Sequence, residues 1–362
     1  MQIGIVGLPN STKTTIFNAL TRSQAATSAF STGQVEVNTA IVQVPDPRID
    51  RLSAMFNPRK TTYARIQYTD IAGLKAGMGR DGSLSGGLLN TIAQNDALLH
   101  VVRAFQDDNV PHPEGMVDPA RDLAALDFEF IFADLGIVER RMERLARDLG
   151  KRGAYPARQA DQEEFDLLMR IKENLEQEIP ARDLDLTPEE EKRLRGFQLL
   201  TLKPTLVVLN VGERGIADPT HYVDYHHRRT AVICLRGQLE MEIAQLEGAE
   251  AEMFLQEYGI SEPGLNRLIR LSYDLLGLHS FFTVGEDEVR AWTIRKGATA
   301  VEAAGAIHSD LARGFIRAEV VAYNDLIAAG SMAEARKAGK FRLEGRDYVV
   351  QDGDILNIRF NV

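Results

Sequence analysis

The chain has 362 residues, 44% hydrophobic and 26% charged, with 52 acidic against 42 basic side chains and a net charge of −10. Its length exceeds the roughly 250 residues at which single cores stop growing, which implies more than one domain, and its composition excludes a chain dominated by disorder. One cysteine, Cys234, excludes an internal disulfide, the opening MQIGIVGLP lacks a leader's basic and apolar regions, and no apolar run reaches the roughly 20 residues of a spanning helix, so a cytoplasmic protein without membrane segments is expected.

Residues 2–7, QIGIVG, read as a short buried strand, and a helix is expected from Thr14 to Leu20 directly after the turn. Further strands are expected at 65–71, 97–104, 204–210 and 230–235, whose continuous apolar runs suit a parallel sheet covered on both faces. Between the third and fourth of these, Ile131, Leu135, Val138, Met142, Leu145 and Leu149 recur at alternating spacings of 4 and 3, the seam of a coiled coil. GKRGAYPAR breaks that helix, and a returning helix from about Asp161 to Ile179 carries Phe165, Leu168, Ile171 and Leu175 on one face. An antiparallel hairpin is therefore expected, followed by a helix start at Thr187 with Pro188 and Glu190. The last 82 residues read as a small α+β unit. Its strands are HSFFTV, VRAWTI, 317–323, 341–350 and 355–360, and its helix runs from Thr299 to Phe315, opened by a capping box of Thr299 with Glu302.

Gly7 to Thr15, GLPNSTKTT, falls one glycine short of the phosphate-cradling loop GxxxxGK[ST]. In such a loop successive backbone N–H groups from Asn10 through Ser11, Thr12 and Thr15 point at phosphates, Lys13 reaches the terminal ones and the Thr14 hydroxyl ligates Mg²⁺. Asn10 tolerates positive φ, whereas a β-branched Thr12 does so poorly. A working loop is expected to hold Thr12 at negative φ with its side chain turned from the phosphates, and positive φ favours a decayed site. Asp70 to Gly73, DIAG, lies 57 residues after Lys13 at a strand end, where Asp70 can orient a Mg²⁺-bound water and the Gly73 N–H can meet a γ-phosphate. Leu74 follows, where related enzymes hold a water-positioning glutamine, so no catalytic residue is identified and unaided hydrolysis is expected to be slow. Asn210, Val211 and Glu213 belong to NVGE at the end of another strand, in the place of a guanine-reading NKxD, and the longer Glu213 argues for an altered base preference. Lys75 to Gly87 holds five glycines and reads as a mobile switch loop.

The runs GIVGLPN, VPDPRIDRL, DIAGL, LLTLKP, NVGE, GLNRLIRLSY, VRAWTIRKGATAVEAAGAIHSDLARGFIRAE and EGRDYVVQDGDILNIRFNV resemble the YchF family of Obg-like ATPases from end to end. The resemblance implies a Ras-like P-loop domain (1–127 and 203–279) with an inserted coiled-coil hairpin (128–202), followed by a ubiquitin-like β-grasp TGS domain (280–362). It also implies ATP preferred over GTP and ribosome association through the large subunit; a monomer is expected. The family loop usually reads GLPNVGKST, so Ser11, Thr12 and Thr14 are departures, of which only Thr14 keeps the chemistry. Gln34 aligns with a Mg²⁺-coordinating threonine of the family, with Thr32 two residues earlier as the nearest hydroxyl. Arg236 and Gly237 align with the base-contacting turn, where Gly237 can still offer its N–H. In potassium-dependent relatives an asparagine at the position of Asn10 helps bind K⁺, which the resemblance admits without requiring.

Residues 140–158 carry seven basic side chains (Arg140, Arg141, Arg144, Arg147, Lys151, Arg152, Arg158) against Glu143 and Asp148, a local +5 on an acidic protein. A second cluster holds Arg336, Lys337, Lys340, Arg342 and Arg346. Both are expected to face ribosomal RNA through phosphate contacts that position rather than read sequence. His226 and His227 have no partners at zinc spacing and read as surface histidines, and Trp292 and Cys234 read as core. The leading expectation is a ribosome-associated nucleoside-triphosphatase switch. Its rivals are an adaptor with a decayed nucleotide site and a GTPase differing only in the base.

Overall fold

The structure is a computed structural model and describes residues 1–22, 37–71, 86–150, 158–246 and 248–361. The expectations placed on Thr32, Gln34, Gly73, Leu74, the switch loop over 75–85, Lys151 and Arg152 lie outside the described residues.

In chain order the described strands are β1 Gln2–Val6, β2 Val37–Gln43, β3 Lys60–Thr62, β4 Arg65–Ile71, β5 Ala97–Arg103, β6 Thr205–Asn210, β7 Thr230–Leu235, β8 Leu278–Thr283, β9 Glu288–Arg295, β10 Phe315–Ala322, β11 Arg342–Glu344 and β12 Asp354–Phe360. The described chain gathers into two units, one of residues 1–40 and 67–265, the other of 41–66 and 266–362.

In the first unit β4, β1, β5, β6 and β7 pair in that order, all parallel. Every residue of β5 and β6 is buried, as continuous apolar strands require when both faces of a parallel sheet are covered. On one face Val6, Leu98 and Ile71 pack with Leu88 and Ile92 of the helix Gly86–Ala93 and with Leu126 and Phe130. The hairpin's first helix runs from Pro119 to Leu149, beginning well before the seam, because Asp118 accepts the Arg121 N–H (3.0 Å) and Pro119 opens its first turn. Its return is Arg158–Glu176, with Ile131, Val138 and Leu145 packed against Leu167, Leu168, Ile171 and Leu175. Asp134, fully buried, closes the base of this arm by accepting from Leu200 N (2.9 Å), Thr201 N (2.8 Å) and Thr201 Oγ1 (2.6 Å). The capping box expected at Thr187 forms, with both reciprocal bonds to Glu190.

The second unit carries the sheet β11-β10-β12-β8-β9-β3, the β-grasp layout with the helix Ala300–Ile307 packed through Ala300, Ala303 and Ala304 on Phe281, Ala318, Val320 and Leu356. The helix expected over 299–315 breaks at His308, which turns extended and caps a second helix, Ser309–Arg313, by accepting the Asp310 N–H on Nδ1 (3.2 Å). The strand expected over 341–350 shrinks to β11 because the chain turns after Gly345, and only Val349 bridges back, to Thr299. Two helices not expected, Tyr323–Ala329 and Met332–Lys337, fill the connection. Residues 41–66 enter this unit because β3 pairs in parallel with β9, and the helix Pro47–Phe56 before it starts on an Asp46 cap. Among the described residues no helix is long and apolar enough to cross a membrane.

Candidate nucleotide-binding site

The end of β1 delivers the chain into the loop 7–12 and the helix Lys13–Thr21. The loop passes so close to β5 that a Cβ at Gly7 would lie 2.4 Å from the Val101 carbonyl oxygen, which explains glycine there. Asn10 turns the chain at φ 60°, and its Nδ2 donates to the Pro111 carbonyl (3.2 Å). Thr12 takes φ 69° and ψ 27°, overturning the expected negative value. The left-handed conformation is the one a glycine supplies, so the loop keeps its course while threonine bears a strain of about 1–2 kcal/mol. The Thr12 hydroxyl is fully engaged. It donates to the Ser11 carbonyl and accepts from Asn210 Nδ2 at 2.5 Å.

Lys13 Nζ folds back to donate to the carbonyls of Gly7 (2.8 Å) and Leu8 (3.0 Å). Burial lowers its pKa to about 8, with Asp70 opposing that shift. Thr14 Oγ1 donates to Asp70 Oδ2 at 3.2 Å, and Asp70 Oδ1 is buried with no hydrogen-bond partner among the described residues. Burial raises the Asp70 pKa, while Lys13 and then Thr14 restrain it. A hydroxyl and a carboxylate oxygen that lacks a partner are hard donors, and Mg²⁺ takes one or two protein oxygens and completes its shell from water and phosphate. The pair therefore fits that ion. Among the described residues no group of three or more His, Cys, Asp or Glu could hold a metal by itself.

At the neighbouring strand end Asn210 is 2% exposed, and its Oδ1 accepts the Gly237 N–H at 2.8 Å. The Gly237 N–H expected to meet the base is thus held by Asn210. Val211 is buried and donates its N–H to Leu235, whereas Glu213 is exposed. Arg236 precedes the helix Gly237–Gln245 without a side-chain cap bond. Thr15 is half-buried, and Ser11 is buried with its hydroxyl unpartnered.

Two histidines were not foreseen. With Leu8, Pro9 and Ser11, His100 and His112 line a small cleft. His100 is neutral, its pKa lowered to about 3 by burial and by Lys13 and Arg182. His112 accepts the Glu114 N–H on Nδ1 (3.2 Å), which leaves Nε2 to donate to Asp122 (2.8 Å). A histidine inside the otherwise apolar run ALLHVV was the available signal for the first, and nothing local marked the second.

The two basic clusters differ. Arg140, Arg144 and Arg147 are exposed on the hairpin, and Arg141 is held by Glu164 at 2.6 and 3.0 Å. In the second unit four of the five have a carboxylate: Arg336 with Glu319 (3.2 Å), Lys337 with Glu334 (2.6 Å), Lys340 with Asp325 (3.0 Å) and Arg342 with Asp354 (3.6 Å), while Arg346 lies over the Phe315 ring. Arg342 also stacks on Tyr348.

Residues 2–131 match a family described as 50S ribosome-binding GTPase, and residues 278–361 match the YchF GTPase C-terminal family, described as a protein of unknown function. The chain is 47% identical over 371 residues to the ribosome-binding ATPase YchF of Bacillus subtilis (strain 168), covering 99% of each chain. It is 43% identical over 366 residues to the ribosome-binding ATPase YchF of Pasteurella multocida (strain Pm70), again covering 99% of each. The structure of the Schizosaccharomyces pombe YchF GTPase superposes with a TM-score of 0.86 at 31% identity, over 99% of this chain and 97% of that one.

Proposed function

We propose, from the premise that this chain belongs to the YchF family, that it is a cytoplasmic, monomeric, ribosome-associated nucleoside-triphosphatase switch that prefers ATP to GTP. The observation that carries this is the convergence of Lys13, Thr14 and Asp70, with one buried Asp70 oxygen left without a partner. Lys13 exchanges its two backbone carbonyls for phosphate oxygens, and that contact restores the charge that burial weakens. Thr14 and Asp70 hold Mg²⁺, with Thr32 as a further candidate ligand, and Asn10 is where K⁺ would sit. When bound, the divalent ion neutralises charge on the β- and γ-phosphates. Asn210 and Val211 face adenine, with Glu213 replacing the aspartate that reads guanine. With Leu74 in the glutamine position, hydrolysis is slow without a partner.

Residues 1–127 and 203–279 form the nucleotide domain, 128–202 the hairpin and 280–362 the TGS domain. On this reading the nucleotide state rearranges the switch loops. The large subunit, through ribosomal RNA, is the partner of the hairpin arginines, and the internally paired Arg336, Lys337, Lys340 and Arg342 contribute less. Charge reversal at Arg140, Arg144 and Arg147 is expected to abolish ribosome co-sedimentation at moderate salt, and unchanged co-sedimentation at every salt concentration rejects the RNA contact.

The strained Thr12 favours one other reading, an adaptor whose nucleotide site has decayed. Calorimetric titration of ATP, GTP and their diphosphates with Mg²⁺ separates the two. The switch gives micromolar to submillimolar binding with ATP ahead of GTP. Silence at millimolar nucleotide selects the adaptor, and GTP ahead of ATP overturns the base assignment.

A further inference from the structure

We infer that Thr12 is a positioning residue for the base, its hydroxyl fixing which way the Asn210 amide faces. The inference rests on the nucleotide-binding reading above and deepens it. A glycine in this place could shape the loop but could not touch the strand end that carries Asn210. Threonine reaches it: Asn210 Nδ2 donates to Thr12 Oγ1 at 2.5 Å, and Asn210 Oδ1 accepts the Gly237 N–H at 2.8 Å. These two bonds define the amide unambiguously, because each end meets a group able to play only one role towards it. A backbone N–H can only donate, so it must face the amide oxygen. The Thr12 hydroxyl has already given its hydrogen to the Ser11 carbonyl and so can only accept, which places the amide nitrogen against it.

The surroundings hold that orientation. Asn210 is 2% exposed, and a Cβ on Gly237 would lie 2.8 and 2.9 Å from its amide atoms, so glycine there lets the backbone approach closely enough for the bond that fixes the amide oxygen. An amide nitrogen carries two hydrogens and Thr12 takes one. The second is free for an acceptor on a base edge, and the N7 acceptor of a purine, common to adenine and guanine, is the group such a donor recognises. Thr12 therefore serves the preference for purine over pyrimidine, not the choice between the two purines. Its strained φ is retained for the hydroxyl.

The test compares ATP with CTP on the full-length chain and its variants Thr12→Ser, Thr12→Ala and Thr12→Gly, together with inorganic tripolyphosphate as a base-free probe. Thr12→Ser keeps the hydroxyl and is expected to hold the ATP-to-CTP affinity ratio within about two-fold. Thr12→Ala and Thr12→Gly lose it, and the ratio is expected to fall about five- to ten-fold, the size of one hydrogen bond. Thr12→Gly is also expected to bind tripolyphosphate at least as well as the parent, since it sheds the strain. The side-chain amide resonances of Asn210 should shift in Thr12→Ala and stay in place in Thr12→Ser. An unchanged ratio in Thr12→Ala that still binds ATP overturns the positioning role alone. A parent chain that binds neither nucleotide overturns the nucleotide site and the positioning role together.

Discussion

Asp70 in the first unit and Glu319 in the second are both buried carboxylates facing cations, and they are finished in opposite ways. Glu319 accepts from Arg336 at 3.2 and 3.3 Å, from Arg359 at 2.6 Å and from Asn357 at 3.1 Å. Hydrogen bonding from Arg336, then from Arg359 and Asn357, lowers its pKa to about 2 against the cost of burial. Among the described residues Asp70 has one donor, Thr14, and one oxygen with none, and burial raises its pKa. A carboxylate that holds a fold together has its lone pairs filled from within, because each empty one costs free energy. One left short keeps a place for something that arrives later. The contrast separates structure from function more sharply than charge does, since each group has a basic side chain nearby, Lys13 for Asp70 and Arg336 and Arg359 for Glu319.

The largest expected effect is at Lys13. Lys13→Ala is expected to weaken ATP binding at least about 100-fold, roughly 3 kcal/mol, by removing a charged phosphate donor. Calorimetry reads this, while unfolding stability should drop by less than about 1 kcal/mol because a poorly solvated charge is lost with it. Glu319→Ala should do the reverse. It removes the acceptor shared by Arg336 and Arg359, which are about half exposed and regain water, and urea unfolding followed by Trp292, the chain's one tryptophan and part of β9, should show a loss of about 1–2 kcal/mol. ATP affinity should stay within about two-fold.

The two regions also answer pH differently. For Glu319 the folded value of about 2 lies below its ordinary 4.5, so its contribution is complete above pH 4.5 and is lost as pH falls towards 2. For Lys13 the folded value of about 8 lies below its ordinary 10.5, so between those values the unfolded chain holds more protons and stability rises with pH. ATP binding near pH 8 should then take up a proton, visible as a dependence of the calorimetric heat on buffer ionisation enthalpy. The smallest expected effect is at Thr12. Thr12→Gly sheds the strain of a left-handed threonine but leaves the buried Asn210 amide without its acceptor and loosens the unfolded chain, so these terms offset and the urea midpoint should move by less than about 1 kcal/mol of stability.

Local spacing made much of this legible. The loop, Lys13, Thr14 and the distance to Asp70 are short-range features, and strands as apolar as β5 and β6 admit little else. The capping boxes at Thr187 and Thr299 were equally readable because all their atoms lie within one turn. The rest depends on partners far along the chain. Nothing near Lys60 announces that β3 will pair with β9, and nothing in the Arg336 to Arg342 run shows that each charge is already met by a carboxylate. Thr12 is the instructive middle case. Its residue type warned of strain, but whether the loop would abandon its shape or threonine would accept the strain turned on the hydroxyl's bond to Asn210, 198 residues away.

The most direct test is the Mg²⁺ dependence of ATP binding in the parent chain and in Asp70→Asn, measured by calorimetry with and without the ion. A reserved Asp70 oxygen predicts that Mg²⁺ tightens ATP binding at least about ten-fold in the parent and hardly at all in Asp70→Asn, with equal unfolding stability for the two. Equal Mg²⁺ enhancement in both proteins, or none in either, would contradict it.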